Sequence, residues 1–382
     1  MLRRAQLVTP LLLCSQLSCG KQAPASGAAT TSAAPVASAA PFSLTGAELS
    51  SPSAFDLAAR PDGLRLLWAG VDQAAGWLNE VELGHDGKPR APARRVAVPA
   101  RTLGKLTDLD ASFVGDQLAL AWLEQGSKEA RATATLIEGV ATPVLLDLGP
   151  AALVAESARG NVAIAGQPEH SRALVMWRGL ESPCAAPSTA PCTNVTFKHV
   201  RPSAAEVTGL PLSVPVPCVS HSVVLATSPG RFYYGVCTRQ GNDPVTTLFT
   251  IQYDPEYARA EPLLKGCVPL GTLEVGQRPW LIGDCHGKRR AVLIPVIDEK
   301  VEPENIDALD VYCAAQRAEL RQGRFKLTLA EPRADLQSIL PAGFVPTGGR
   351  AGWTGAALVV VYPSGNQLES RSFTCHAGKL LP

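Results

Sequence analysis

An all-β chain is predicted, built as a six-bladed β-propeller with four antiparallel strands in each blade. Three observations predict it. A strand–turn–strand unit recurs six times, its turns carry hairpin residues, and its second strands are continuously apolar. The composition agrees: of 382 residues, 46% are hydrophobic and 18% charged, with 33 Gly and 32 Pro. The charged share lies below the ~25% usual in soluble domains, while so much Gly and Pro favours many turns over long helices.

The six units read FDLAARPDGLRLLWAG from Phe55, LDASFVGDQLALAWLE from Leu109, NVAIAGQPEHSRALVMWRG from Asn161, HSVVLATSPGRFYYGVC from His221, PWLIGDCHGKRRAVLIPV from Pro279 and GFVPTGGRAGWTGAALVVVYP from Gly343. Aligning the second strands places Trp68, Trp122, Trp177, Val236, Ile294 and Tyr362 at one position, 54 to 68 residues apart. Four of the six are aromatic in a chain that is 5% aromatic. The turns Pro61-Asp62-Gly63, Gly115-Asp116, Ser228-Pro229-Gly230 and Gly287-Lys288 supply residues that tolerate φ > 0, as tight hairpins demand.

Two more strands are read after each hairpin. They cover 77–83 and 95–99, 130–137 and 144–148, 194–200 and 210–216, 246–253 and 262–264, then 306–313 and 324–330. Four strands per unit at a spacing of ~50–60 residues is the propeller signature. A blade packed between neighbours is buried on both faces, which explains runs such as LALAW and LVVVY. The sixth unit offers strands at 357–362 and 369–375, then lacks room for a fourth. Phe42-Ser43-Leu44-Thr45 is placed to supply it, which would close the ring and remove two exposed edges. The alternative architecture is a pair of β-sandwiches. The Ala- and Glu-rich stretch DALDVYCAAQRAELRQ, from Asp307, is the place where a helix would interrupt blade five.

Before the repeats the chain divides into residues 1–18, a signal peptide, and 19–41, a tether, with the propeller at 42–382. Arg3 and Arg4 form a basic start, and the mostly apolar stretch from Ala5 to Leu17 is too short to span a bilayer. The tether KQAPASGAATTSAAPVASAAP carries one charge and nothing that would offset the entropy of ordering it. Leu17-Ser18-Cys19-Gly20 resembles a bacterial lipoprotein signal, with Gln16 where that family prefers Leu. The resemblance implies a diacylglyceryl group on Cys19, cleavage before it, and attachment to a membrane through the lipid. Gly20, in place of the Asp that retains such proteins at the inner membrane, points to an outer-membrane lipoprotein facing the periplasm or the cell surface. The repeat-bearing body likewise resembles secreted bacterial propeller proteins, and Pro61-Asp62-Gly63 is similar to the turns of TolB-type propellers. Neither the Asp-box of sialidases nor the Trp-Asp of WD40 repeats occurs.

Of ten cysteines, eight remain once Cys14 and Cys19 are set aside, an even number that in an exported chain reads as up to four disulfides. Cys184 and Cys192 bracket the proline-stiffened loop APSTAP and are expected to pair. Cys218 and Cys237 stand at one end of the fourth hairpin and form the second expected pair. The sequence leaves Cys267, Cys285, Cys313 and Cys375 unassigned. The similar pairs Cys285-His286 and Cys375-His376 raise zinc as an alternative, but no Cys-x-x-Cys accompanies them. No metal and no cofactor are expected.

The formal net charge is +1, and −1 without the leader's two arginines, which excludes nucleic-acid binding driven by net charge. Lys288-Arg289-Arg290 and Arg94-Arg95 read as solvated hairpin ends. No Gly-x-Ser-x-Gly, His-Glu-x-x-His or phosphate-binding glycine loop is present. Propellers place ligands at the central channel, so Asp56, Asp110 and His221 are the candidate channel residues, with Asp108, Glu156 and Glu274 near them. Asp56 and Asp110 each precede their core tryptophan by 12 residues, so they are equivalent in adjacent blades. These features point to a lipid-anchored binding or scaffold module for a protein or glycan ligand. The alternative is a glycoside hydrolase or lyase using the channel carboxylates; the other reading of those carboxylates is that they cap turns or solvate the rim.

Overall fold

Alternating residues of nearly every second strand are buried on opposite faces, and the architecture follows from that two-sided burial. The computed structural model describes residues 42–43, 48–60, 62–70, 77–97, 105–114, 117–137, 144–152, 160–167, 172–183, 191–201, 206–216, 220–227, 232–239, 245–252, 257–275, 278–294, 304–305, 310–314, 317–322, 325–329, 332–334, 336–340, 344–377 and 379–381. All belong to one compact unit, Ala37–Pro382. Among the described residues there is no helix.

The elements begin with β1 (Phe42–Ser43). Sheet one is β2 (Phe55–Arg60), β3 (Gly63–Ala69), β4 (Trp77–Leu83) and β5 (Arg94–Ala97). Sheet two is β6 (Lys105–Val114), β7 (Gln117–Gln125), β8 (Ala130–Ile137) and β9 (Val144–Ala151). Sheet three is β10 (Val162–Gln167), β11 (Arg172–Pro183), β12 (Pro191–Arg201) and β13 (Glu206–Val216). Sheet four is β14 (Ser220–Thr227), β15 (Phe232–Arg239), β16 (Val245–Gln252) and β17 (Tyr257–Lys265). Sheet five is β18 (Cys267–Val275), β19 (Arg278–Cys285), β20 (Lys288–Leu293) and β21 (Glu304–Asn305). Sheet six has three strands, β22 (Asp310–Ala314), β23 (Arg317–Gln322) and β24 (Phe325–Leu329). Sheet seven holds β25 (Arg350–Trp353), β26 (Ala357–Ser364), β27 (Gln367–His376) and β28 (Lys379–Leu381), together with β1. Consecutive strands pair antiparallel within each sheet, so each is a meander.

The sheets thus number seven among the described residues, where six blades were expected. The extra sheet comes from the fifth unit. Strand β18 starts one residue after β17, with Gly266 at φ 68° as the joint. Nothing in the sequence marks that joint as a boundary between sheets. The hairpin from Pro279 is therefore β19 and β20, second and third strands rather than first and second. Where a helix would have interrupted blade five, β22 and β23 pair as a hairpin, Asp310 opposite Arg321, and β22 overlaps the strand expected at 306–313.

The N-terminal strand pairs where it was expected. Phe42 stands opposite Ser370 and Ser43 opposite Glu369, so β1 extends the last sheet beyond β27. Strand β28 shares that edge through Cys375 opposite Leu380, giving the sheet five strands.

Apolar side chains pack between sheets in sequence. Trp122, Leu118 and Leu120 face sheet one with Leu67 and Ala69, while Ala119, Ala121 and Leu123 face sheet three with Val175 and Trp177. Leu174 and Met176 meet Phe249 of sheet four, and Leu248 meets Leu281 of sheet five. Ile282, Leu327, Trp353 and Val360 join sheets five, six and seven. Val359 and Val361 then join sheet seven to Leu57, Leu64, Leu66 and Trp68 of sheet one. The six aligned residues are all buried, at 0 to 6% exposure. Val236, however, faces sheet five, and its neighbour Cys237 occupies the face that Trp177 uses, so the fourth unit is shifted by one residue. At roughly 25 cal/mol per Å² of apolar area removed from water, these two-sided strands supply most of the driving force for folding.

Candidate functional site

The first strands β2, β6, β10, β14 and β18 stand side by side in order, and β25 lies beside β2. Each pairs with one strand of its own sheet and turns its other edge to a neighbouring sheet. Backbone N–H groups on such an edge need acceptors, because a buried donor without one costs about 1–3 kcal/mol. Asp56 and Asp110 sit on these strands and provide acceptors for the next sheet.

Asp56 is fully buried. Its Oδ2 accepts from the Ala111 amide of β6 at 2.9 Å. Its Oδ1 accepts from Arg350 Nε of β25 at 2.7 Å, an ion pair whose arginine is 18% exposed. One carboxylate thereby joins sheets one, two and seven. Asp110 Oδ2 accepts from the Ile164 amide of β10 at 2.7 Å. The equivalence read from the Trp68 and Trp122 spacing therefore extends to a shared contact: each carboxylate bonds the neighbouring first strand.

Sheet two elaborates this into a ladder. Asp108, Asp110 and Ser112 alternate along β6, and their oxygens meet the amides of Val162, Ile164 and Gly166 along β10. Asp108 also takes the amides of Gly160, at 3.1 Å, and of Asn161. It is buried and holds φ 51°, a left-handed conformation that aspartate tolerates better than most residues. A bulge between Thr107 and Asp110 provides that geometry. Gly166 lies so close to β6 that a Cβ there would overlap the Phe113 carbonyl oxygen. Side-chain oxygens thus cap the edge of β10, which protects it from pairing with another strand.

The junction of sheets seven and one uses different groups. Ser370 Oγ donates to the Gly87 carbonyl at 2.8 Å and Ser372 Oγ to the His85 carbonyl at 2.6 Å. His85 Nδ1 and Thr354 Oγ1 share a hydrogen bond of 2.7 Å, and the Leu49 amide reaches the Asn366 carbonyl at 2.8 Å. Within sheet seven the Tyr362 hydroxyl donates to Glu369 Oε2 at 2.8 Å. That bond, followed by one from Ser364, holds the Glu369 carboxyl below its ordinary value, while burial first and then Glu369 push the Tyr362 hydroxyl up. On sheet one, Glu80 is buried between Arg65 and Arg94 at 2.6 and 2.8 Å.

Other sequence-derived candidates fall differently. His221 lies on β14 and Glu274 on β18, but their side chains are outside the described residues, as is Glu156 altogether. Of the expected disulfides, Cys184 and Cys218 also lie outside the described residues. Cys237 is disulfide-bonded, as is Cys375. A further disulfide joins Cys267 to Cys285, which stand directly opposite on β18 and β19. The sequence left these two unassigned because β18 was not read as a strand. With Cys285 and Cys375 oxidised, the zinc alternative loses both thiolates, and no metal-ligand cluster occurs among the described residues. Arg350 was missed. Its signal is a lone charge in the apolar strand RAGW. The alternation Asp108-x-Asp110-x-Ser112 in a buried strand is the corresponding signal for the ladder.

No protein-family model and no curated protein matches the chain. Among solved structures it is similar to the PQQ-bound aldose sugar dehydrogenase of Streptomyces coelicolor, at 14% identity over 87% of this chain and 98% of that one, with a TM-score of 0.40. It is similar to a subtype N10 neuraminidase-like protein of A/little yellow-shouldered bat/Guatemala/060/2010 at 10% identity, over 90% of this chain and 97% of that one, with a TM-score of 0.43. The Trypanosoma rangeli sialidase matches at 7% identity, 76% and 57% coverage and 0.39. The fold assignment rests on the strand pairings above.

Proposed function

We propose that the seven sheets are the blades of a β-propeller closed by β1, and that the protein is a lipid-anchored extracytoplasmic binding or scaffold module. The observation that carries the fold is the cyclic series of apolar clusters, in which sheet seven packs on sheet one. The anchor reading rests on Leu17-Ser18-Cys19-Gly20 and the tether to Pro41, and disulfides such as Cys267–Cys285 favour an oxidising compartment. The mature chain then begins at Cys19 and is held at the outer membrane by its lipid, with a protein or glycan as ligand. Pairing of Cys184 with Cys192 and of Cys218 with Cys237 belongs to the same proposal.

An acid–base role for Asp56 and Asp110 draws no support from their surroundings. Asp56 has both oxygens bonded and is shut off from solvent, and Asp110 serves the Ile164 amide. A glycosidase needs one carboxyl able to give up a proton and another that faces substrate. The test has two arms. Mass spectrometry of the mature chain is expected to find Cys19 at the N-terminus bearing acyl chains, with Cys19→Ala released from the membrane fraction. Unmodified Cys19 inside a longer peptide overturns the anchor. Assay against chromogenic glycosides is expected to show no turnover, and turnover abolished by Asp110→Asn overturns the binding-module reading.

A further inference from the structure

We infer that Asp56 and Arg350 form a lock that closes the chain on itself, placed where only the correct pairing of first and last sheets can satisfy it. The positions are equivalent by strand register. Asp56 stands opposite Leu67, beside Trp68, and Asp110 opposite Ala121, beside Trp122. Ala163 stands opposite Met176, beside Trp177, and Arg350 opposite Val361, beside Tyr362. Taken in order round sheets seven, one, two and three, the series runs arginine, aspartate, aspartate, alanine. Opposite charges therefore meet at the junction of sheets seven and one. That junction unites residues 294 positions apart in the chain. Eleven residues lead from β1 to β2, but β1 pairs with β27 and leaves the place of β25 beside β2 to be set by side chains.

The chemistry of the pair is selective. Both neighbours of Asp56 are donors, the Arg350 Nε–H and the Ala111 N–H. An ionised carboxylate accepts through both oxygens, whereas an asparagine turns an N–H group towards one of the two donors. Misclosure, with any other strand beside β2, leaves a fully buried carboxylate without its cation. That penalty is steep, so the pair discriminates against wrong closure more than it adds stability to the right one. Ser370, Ser372 and His85 sit at the same junction but bond through exposed or backbone groups, and they tolerate small displacements. The ion pair does not. This inference stands whether or not the protein is lipid-anchored.

Hydrogen exchange on the full chain tests it, with Asp56→Asn, Arg350→Met and the double variant. Arg350→Met keeps the side-chain stem and leaves the Asp56–Ala111 bond in place, so it remains informative where Asp56→Asn does not fold. Each single variant is expected to speed exchange in β2 and β25 by about a hundredfold. Strands β7 and β11 should stay within about twofold of the parent, the limit expected of a local opening. The double variant should be no worse than Asp56→Asn, because the two residues act as one unit. Unchanged exchange in β2 and β25 overturns the lock. So does an equal rise in every strand, failure of both single variants to fold, or a double variant whose effect is the product of the two singles.

Discussion

The junction of sheets two and three and the junction of sheets seven and one solve one problem in two ways. Both hold first strands side by side, β6 with β10 and β25 with β2. Between sheets two and three, Asp108, Asp110 and Ser112 bond backbone amides at regular intervals, so the contact follows the backbone and not the identity of the side chains opposite. Between sheets seven and one, Ser370 and Ser372 also bond backbone carbonyls, but specific side chains meet as well: Asp56 with Arg350 and His85 with Thr354. The difference teaches that sequence-adjacent sheets can rely on a general acceptor, because the short connection already brings the right neighbour. At the two ends of the chain only the two-residue strand β1 offers such a connection, through β27, and side chains that recognise each other add to it.

Substitutions at each junction sharpen the contrast. The largest effect is expected at Asp108. Replacing it by alanine strips the acceptor from three amides, and at about 1–3 kcal/mol for each buried unsatisfied donor the cost is about 3–9 kcal/mol, read as a fall in the urea midpoint. Should Asp108→Ala unfold with parental stability, the ladder is ornamental and the contrast fails. Gly166→Ala comes next. The added methyl must move β6 away from β10, and overpacking of this kind costs about 1–3 kcal/mol. Chemical denaturation should show that loss without a change in slope.

The smallest effect belongs to sheet seven and depends on pH. Glu369 has its folded-state value lowered by the Tyr362 hydroxyl. Its contribution is therefore present above the unfolded carboxyl value, about 4.3, and is lost as pH falls through the lowered folded value. Tyr362→Phe removes the donor and is expected to cost about 1 kcal/mol at pH 7 and to flatten the acid limb of the stability curve. Since Glu369 also stands opposite Ser43 of β1, exchange in β1 should rise in acid before exchange in β11 does. Parallel rises in both strands would remove the distinction between the junctions.

Much of this architecture was legible residue by residue. Trp68, Trp122 and Trp177 announced the second strands because an apolar run bounded by turn residues has few other destinations. Phe42-Ser43 was placed on the last sheet by counting strands, and β1 pairs there. Asp56 and Asp110 were recognised as equivalent from spacing alone. Their partners were not, because Arg350 lies 294 residues from Asp56 and Ile164 offers only a backbone amide, which has no sequence signature. Sheet six was read only in part, since the strands expected at 306–313 and 324–330 overlap β22 and β24 but were counted with the fifth unit. A single glycine separates β17 from β18, and the stretch that forms β22 and β23 carries the Ala and Glu of a helix.

From the sequence alone came the class of structure, the strands of the first three sheets and the edge that β1 would complete. These depend on period, turn chemistry and counting, which are local properties of the chain. The tertiary structure decided that the described residues form seven sheets, that Cys267 bonds Cys285, and that buried carboxylates serve neighbouring backbones. Those outcomes depend on which edges come within hydrogen-bonding distance, and distance between remote residues exists only once the chain has folded.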